Sequence, residues 1–444
     1  MRKLLLLAVF VCSISALAQA PPDCARGFCA GIGAPTLACK AGNKYTQLDA
    51  PGTGWSCTGI PPHWVQDAGG IAPAQLALVT AESFGAVGDW NGTTGTDNTT
   101  ALQNAINSLQ TANICGQVLL QAKSYKITGT LNITKSCVGI KGASQQGTFI
   151  VSTSATADMI DLAGTSTAAL VIANQLEDFT LFRTVAGTGT AAGLSMNYSS
   201  AAIVNRVQSA NNIRNFYFHG TGSNGSGDIR NCTAQNTLGS GTYYGFYADS
   251  SDGIANTSLR LHNNFYFNST AGTTYGYYAT GSSIKDLMSW NFETANASYG
   301  EYFNYTAGAD NFGASDIHLY GPINDSFKIS GIVAVGLVIS GNPGLEISGG
   351  ESSSVVASGG KAIDLENSTF NVSIVGHQLW GNATYQIYLG AGVSNTTIVG
   401  NTIMGFTGAH GIFVQGASNT NIISGNNLYG TAATDDIALV GAVP

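Results

Sequence analysis

An all-β parallel β-helix is the fold class predicted by this 444-residue sequence, on three observations. The first is a spacing. The apolar triplets beginning at Ile363, Ile387, Ile412 and Ile437 follow one another at steps of 24, 25 and 25 residues. The second is an independent marker with the same period: Gly376, Gly400 and Gly425, followed by His377, Asn401 and Asn426. Two markers at one interval identify a repeat architecture. The third is composition. Charged residues make up 9% of the chain, against about 25% in an ordinary soluble protein. Such a chain solvates itself with hydroxyls and amides while keeping enough Val, Ile and Leu to fill a core.

Each triplet alternates apolar, variable, apolar, which is the period of a strand. Glycine and asparagine punctuate the strands where the backbone must turn. A unit of this length closes as one coil, and coils stack about 4.8 Å apart. Asparagines stacked at the turns can then form hydrogen-bonded ladders. Leucine-rich repeats would need a fixed leucine and asparagine framework that is missing here, and a propeller needs a longer unit.

The elements follow in chain order. Residues 1–20 read as a secretory signal peptide: Arg2 and Lys3, an apolar run from Leu4 to Val11, then small residues. A secreted or cell-surface, bacterial protein is the expectation, with no membrane span. Residues 21–80 form a separate small module carrying Cys24, Cys29, Cys39 and Cys57. In an exported chain these favour disulfides over metal, with connectivity left open. The β-helix domain occupies 81–444. At its start, Asn98 or Thr99 can cap a helix, and Leu102, Ala105, Ile106 and Leu109 make one apolar stripe. Cys115 and Cys137 each precede a strand one coil apart, close enough to bridge.

The stretch "FGAVGDWNGTTGTDNTTALQNAI" at 84–106, followed by "GQVLLQAKSYKITGTLNITKSCVGIKG" at 116–142, resembles the opening of pectate-lyase-like β-helix proteins. That group includes rhamnogalacturonase- and epimerase-like domains and phage tailspikes. The resemblance, with the general crossover rule, implies a right-handed coil. It also implies a helix that closes the end of the barrel, and a carbohydrate partner. Asn98 stands where the family usually has a second Asp. The family's catalytic signatures do not appear as a set, so no catalytic residue is carried over.

The middle of the chain repeats as "GTYYGFYADSS", "GTTYGYYATGSS" and "NASYGEYFNYTAG", aligned on Gly245, Gly276 and Gly300. With Phe246 and Ile363 pointing inward, alternation sends Tyr247, Tyr278 and Tyr302 outward on successive coils, with Tyr388 and Phe413 continuing later. Asp249, Thr280 and Asn304 are the next outward positions. Exposed tyrosines flanked by polar groups are a surface on which sugar rings stack. The plainer reading is an aromatic ladder that stiffens the sheet. Glycosidic hydrolysis needs two carboxylates about 5–10 Å apart, and Asp249 with Glu301 is the candidate catalytic pair, although the same register buries Glu301. Arg230, Arg260 and Lys285 each follow an aligned strand start and form a candidate basic stripe for uronic acids. Solvated edge charges are the alternative.

A formal charge of −8 argues against nucleic acid and anionic membrane surfaces. His219, His262 and His318 are spread over coils without metal-ligand spacing, so neither metal nor other cofactor is expected. Two function classes stand. One is a lyase or hydrolase of acidic or neutral glycans. The other is a binding protein, an adhesin or tailspike-like fibre without catalysis. A homo-oligomer covering the last coil, "DDIALVGAVP", is a further expectation.

Overall fold

The computed structural model describes residues 77–444 except 222–226, 253, 255, 282–283, 306–314, 336–343, 355–359, 368, 382, 405–409, 417–419, 430–435 and 442–444, together with four earlier strands. The signal-peptide expectation, Cys24 and Cys39, and the side chains of Cys29 and Cys57 fall outside the described residues. The chain divides into two compact units, Met1–Gln75 and Leu76–Pro444. In the first, strands Phe28–Gly31, Lys44–Gln47, Gly54–Thr58 and His63–Gln66 form one sheet. Its first pair is parallel and the other two pairs are antiparallel.

The second unit is a parallel β-helix. One wall is a twelve-stranded sheet running from Leu131–Ile133 to Ile437–Val440, and a twenty-four-stranded sheet supplies the others. Register along the twelve-stranded wall bears out the predicted interval: Ile363, Ile387, Ile412 and Ile437 are consecutive partners. The same inward column continues upstream through Leu131, Ile160, Leu194, Phe216, Phe246, Tyr277, Glu301 and Ile332. Phe216 and Phe246 stack with ring centroids 4.7 Å apart. Each fully buried aliphatic or aromatic side chain contributes about 1.5–3 kcal/mol, so the column is a continuous source of stability rather than a local one.

The second sequence marker is a stacked turn. Asn231, Asn263 and Asn291 occupy the left-handed region at φ 53°, 50° and 49°, and Gly321, Gly349, Gly376, Gly400 and Gly425 continue it at 62–67°. Asparagine and glycine tolerate this conformation best. Asn263 donates to Asn231 (3.5 Å) and Asn291 to Asn263 (3.1 Å), an asparagine ladder along the turn. One residue on, polar side chains tie coil to coil. The His377 N–H donates to Asn401 Oδ1 (2.8 Å), and the Asn401 N–H to Asn426 Oδ1 (3.0 Å).

Helix Thr99–Ala112 buries Leu102, Ala105, Ile106 and Leu109 in the core of the first coils. Asn98 does not cap it with its side chain. Its Oδ1 instead accepts from the Val87 N–H (2.7 Å) and its amide donates to Thr96 O (2.8 Å), so it is spent on folding the preceding loop. Asp97 takes the neighbouring donor, accepting from the Thr99 N–H (3.0 Å). Cys115 and Cys137 precede register partners Gly116 and Val138 and lie with Cα atoms 4.6 Å apart, within disulfide reach.

Candidate functional site

The three aligned glycines sit at tightly enclosed positions of the twelve-stranded wall. A Cβ on Gly245 would lie 2.5 Å from Gly276 O and 2.6 Å from the Tyr266 ring. Gly276 and Gly300 are as tightly enclosed, by Thr294 and Asn324. The backbone breaks strict alternation there, as it does at Asn215, Ala362 and Gln386 in other coils. Residues on both sides of the glycine and its inward neighbour face out. The wall therefore carries two tyrosine columns: Tyr244, Tyr275 and Tyr299, and Tyr247, Tyr278 and Tyr302. The first column stacks nearly parallel, with centroids 5.2 and 4.9 Å apart. In the second the spacings are 5.2 and 5.5 Å with the rings inclined. All six side chains are partly exposed. Upstream, Arg214 lies over the rings of Tyr217 (4.2 Å) and Tyr247 (5.5 Å).

Tyr247, Tyr278 and Tyr302 thus share one outward column, and Asp249, Thr280 and Asn304 follow in register beside them. Asp249 accepts from the Tyr217 hydroxyl (3.2 Å) and the Ser251 N–H (3.0 Å). Glu301 is not its partner. It lies in the inward column at 1% exposure, on the opposite side of the sheet, because it follows Gly300 at the position where every coil turns a residue inward. Burial pushes its carboxyl up to about 8, with the neighbouring Asn324 opposing the rise.

The basic stripe does not form either. Arg230 partners His262, Arg260 partners Met288, and Lys285 partners Thr257 and Ser315. The three therefore occupy different columns of the other sheet, since the connections between their coils differ in length. Arg230 is bound by its own strand's Asp228 (2.6 Å). The Lys285 side chain lies outside the described residues.

The tyrosine columns are interrupted in two consecutive coils. Strand Ser330–Val335 places Ser330 and Val333 where its neighbours have tyrosines, and strand Lys361–Glu366 then places Lys361 and Asp364 there. The result is a groove of about 400 Å³ with Tyr299 and Tyr302 on one side and Lys361, Asp364 and Glu366 on the other. Lys361 Nζ donates to Asp364 Oδ1 (2.9 Å) and Glu366 Oε1 (2.7 Å) and sits 3.6 Å from the Tyr388 ring centroid. Burial raises the Asp364 carboxyl, against the pull of Lys361, and the neighbouring charge of Glu366 adds to the rise. These charged residues were missed by the sequence reading, although Asp364 is the middle residue of the Ile363 triplet. Its outward position in the tyrosine column was the available signal.

Among the described residues no three His, Cys, Asp or Glu side chains group as metal ligands, and no helix is long and apolar enough to cross a membrane. With wall and groove in place, the second unit is an all-β parallel β-helix. No protein-family profile and no curated protein matches the sequence. Solved structures do. The surface protein and adhesin PfbA of Streptococcus pneumoniae aligns with TM-score 0.56 at 12% identity, over 82% of this chain and 100% of that one. Pre-mature gene product 12 of bacteriophage phi29 aligns with TM-score 0.57 at 14% identity, over 81% of this chain and 51% of that one. The A-module of the mannuronan C-5 epimerase AlgE4 of Azotobacter vinelandii gives 0.46 at 16% identity, over 82% and 96%.

Proposed function

We propose that the protein is an exported polysaccharide-binding β-helix that holds a glycan chain along its twelve-stranded wall without cleaving it. The double tyrosine column carries this reading. Six partly exposed rings on three consecutive coils offer an extended aromatic surface, and a sugar ring presents an apolar face to such a surface and hydroxyls at its rim. Binding is favoured over hydrolysis by carboxylate placement. Cleavage needs two carboxyl groups about 5–10 Å apart with the sugar between them. Asp249 and Glu301 are on opposite sides of the sheet, and Asp364 and Glu366 are both held by the one ammonium of Lys361, which occupies the space between them. The surface protein and adhesin PfbA, which shares the fold, is a precedent for a surface role.

Purified protein on a glycan array, followed by reducing-end and unsaturated-product assays on every glycan bound, tests the reading. Retention without turnover is expected. Accumulating reducing ends or unsaturated products would establish the lyase or hydrolase class instead. An oligomer over the final strand, where Leu439 and Val440 are exposed, is carried forward as part of the proposal. Light scattering at micromolar concentration decides it, and a monomer removes it.

A further inference from the structure

The rings of the wall recognise any pyranose; they do not choose among sugars. Selection needs fixed polar groups, and the groove over Ser330 and Val333 supplies them. This coil lacks tyrosines at both columns and its floor residues Ser330 and Val333 are buried, so a ring stacked along Tyr299 and Tyr302 stays above them and meets the side chains of the strand Lys361–Glu366. Three features fix the polar wall of the groove. Lys361 clamps one oxygen of each carboxylate, at 2.9 and 2.7 Å. The ammonium is seated on the Tyr388 ring, and that ring is held by Phe413 (5.3 Å, 2° between planes) and by its hydroxyl donating to Gln415 (2.7 Å). Inward Ile363 and Leu365, both fully buried, anchor the strand between the outward charges. Rotamer freedom is therefore spent before any ligand arrives, which is what makes a polar subsite selective.

We infer that this groove is the specificity subsite of the wall, binding a neutral pyranose through adjacent hydroxyls and rejecting uronic acids. The inference rests on the polysaccharide-binding reading. Adjacent hydroxyls of one ring can donate to the two carboxylates, and Lys361 can donate back to one of them. Two carboxylates face one ammonium, so an incoming uronate meets no excess of positive charge and would have to lose its water beside like charge. The stripe Arg230, Arg260 and Lys285, which would have favoured uronates, is not assembled. The shared clamp on Lys361 that argues against cleavage suits binding, because it holds both carboxylates on one side of the ligand.

Affinity electrophoresis through gels containing galactomannan, hydroxyethylcellulose, dextran or polygalacturonate separates this inference from the reading beneath it. Wild type, Tyr278→Ala, Asp364→Asn and Glu366→Gln are compared, with circular dichroism and melting to show that each variant folds. Wild type is expected to be retarded by at least one neutral polymer and not by polygalacturonate. Asp364→Asn and Glu366→Gln should each weaken neutral binding about ten-fold, and Tyr278→Ala should weaken it on every polymer. If the groove variants bind neutral polymers as wild type does while Tyr278→Ala fails, the subsite is wrong and the wall stands. Preference of wild type for polygalacturonate also overturns the subsite. If no polymer retards wild type, or Tyr278→Ala changes nothing, the wall itself is wrong and the subsite falls with it.

Discussion

Glu301 sits where the other described coils of the wall place an apolar or aromatic side chain, between Tyr277 and Ile332. One of its oxygens, Oε2, has no hydrogen-bond partner, and burial holds the carboxyl at about 8 against 4.5 for an ordinary glutamate. The folded form is the neutral acid. Stability from this group is complete below pH 4.5 and is lost as pH rises through about 8. At about 1.4 kcal/mol per unit, unfolding by urea should show wild type weakened by roughly 3 kcal/mol between pH 6 and 9, and Glu301→Gln should remove that loss. An equal fall in both proteins would contradict it. His377 has the opposite sign. It is buried and neutral, its ring bonded to Gly349 O (2.6 Å) and Ser352 Oγ (2.9 Å), and burial lowers it to about 4. Its contribution is present above pH 6.5 and disappears as pH falls through about 4, a loss of about 3 kcal/mol that an acid titration followed by circular dichroism should reveal. Both positions bear on what a sequence displays. Alternation alone put Glu301 indoors, and its carboxylate chemistry made it tempting outdoors. The alternation won because register in a stacked column is shared by every coil.

At the scale of the element, the aligned glycines were legible as markers but not as pivots. Strict alternation from Tyr247 faces Tyr244 inward, and only the break at Gly245 turns both tyrosines out. Half of the ring surface was therefore invisible to a period-two reading. Gly245→Ala should cost about 1–3 kcal/mol, because its Cβ would meet the Gly276 carbonyl and the Tyr266 ring. Thermal melting checks this, and an unchanged midpoint would mean that the backbone there can shift. The first coils carry a second testable element. Cys115 and Cys137 close a 22-residue separation, and a disulfide across it contributes about 2–4 kcal/mol. Mass spectrometry after thiol alkylation should find these two cysteines unmodified until a reductant is added, with stability falling by that amount on reduction. Modification without reductant would show no bond.

For the whole molecule, periodicity disclosed most of the architecture, since a column of Ile363, Ile387, Ile412 and Ile437 requires coils of equal length. Where coils differ in length, as they do between Arg230, Arg260 and Lys285, the sequence aligned residues that the fold separates. The groove escaped notice for a related reason. Ser330 and Val333 announce nothing by themselves, and become informative only when their neighbours in the column are known to be tyrosines. What the molecule presents is one long wall with a run of rings, a gap and a charged edge, and the account stands on that wall being where the glycan lies. Hydrogen exchange with and without a glycan bound in the array tests this most directly. Protection is predicted over Tyr243–Ser250, Thr274–Gly281, Tyr299–Tyr305 and Lys361–Glu366. Protection confined to strands of the twenty-four-stranded sheet, with those four unchanged, would contradict it.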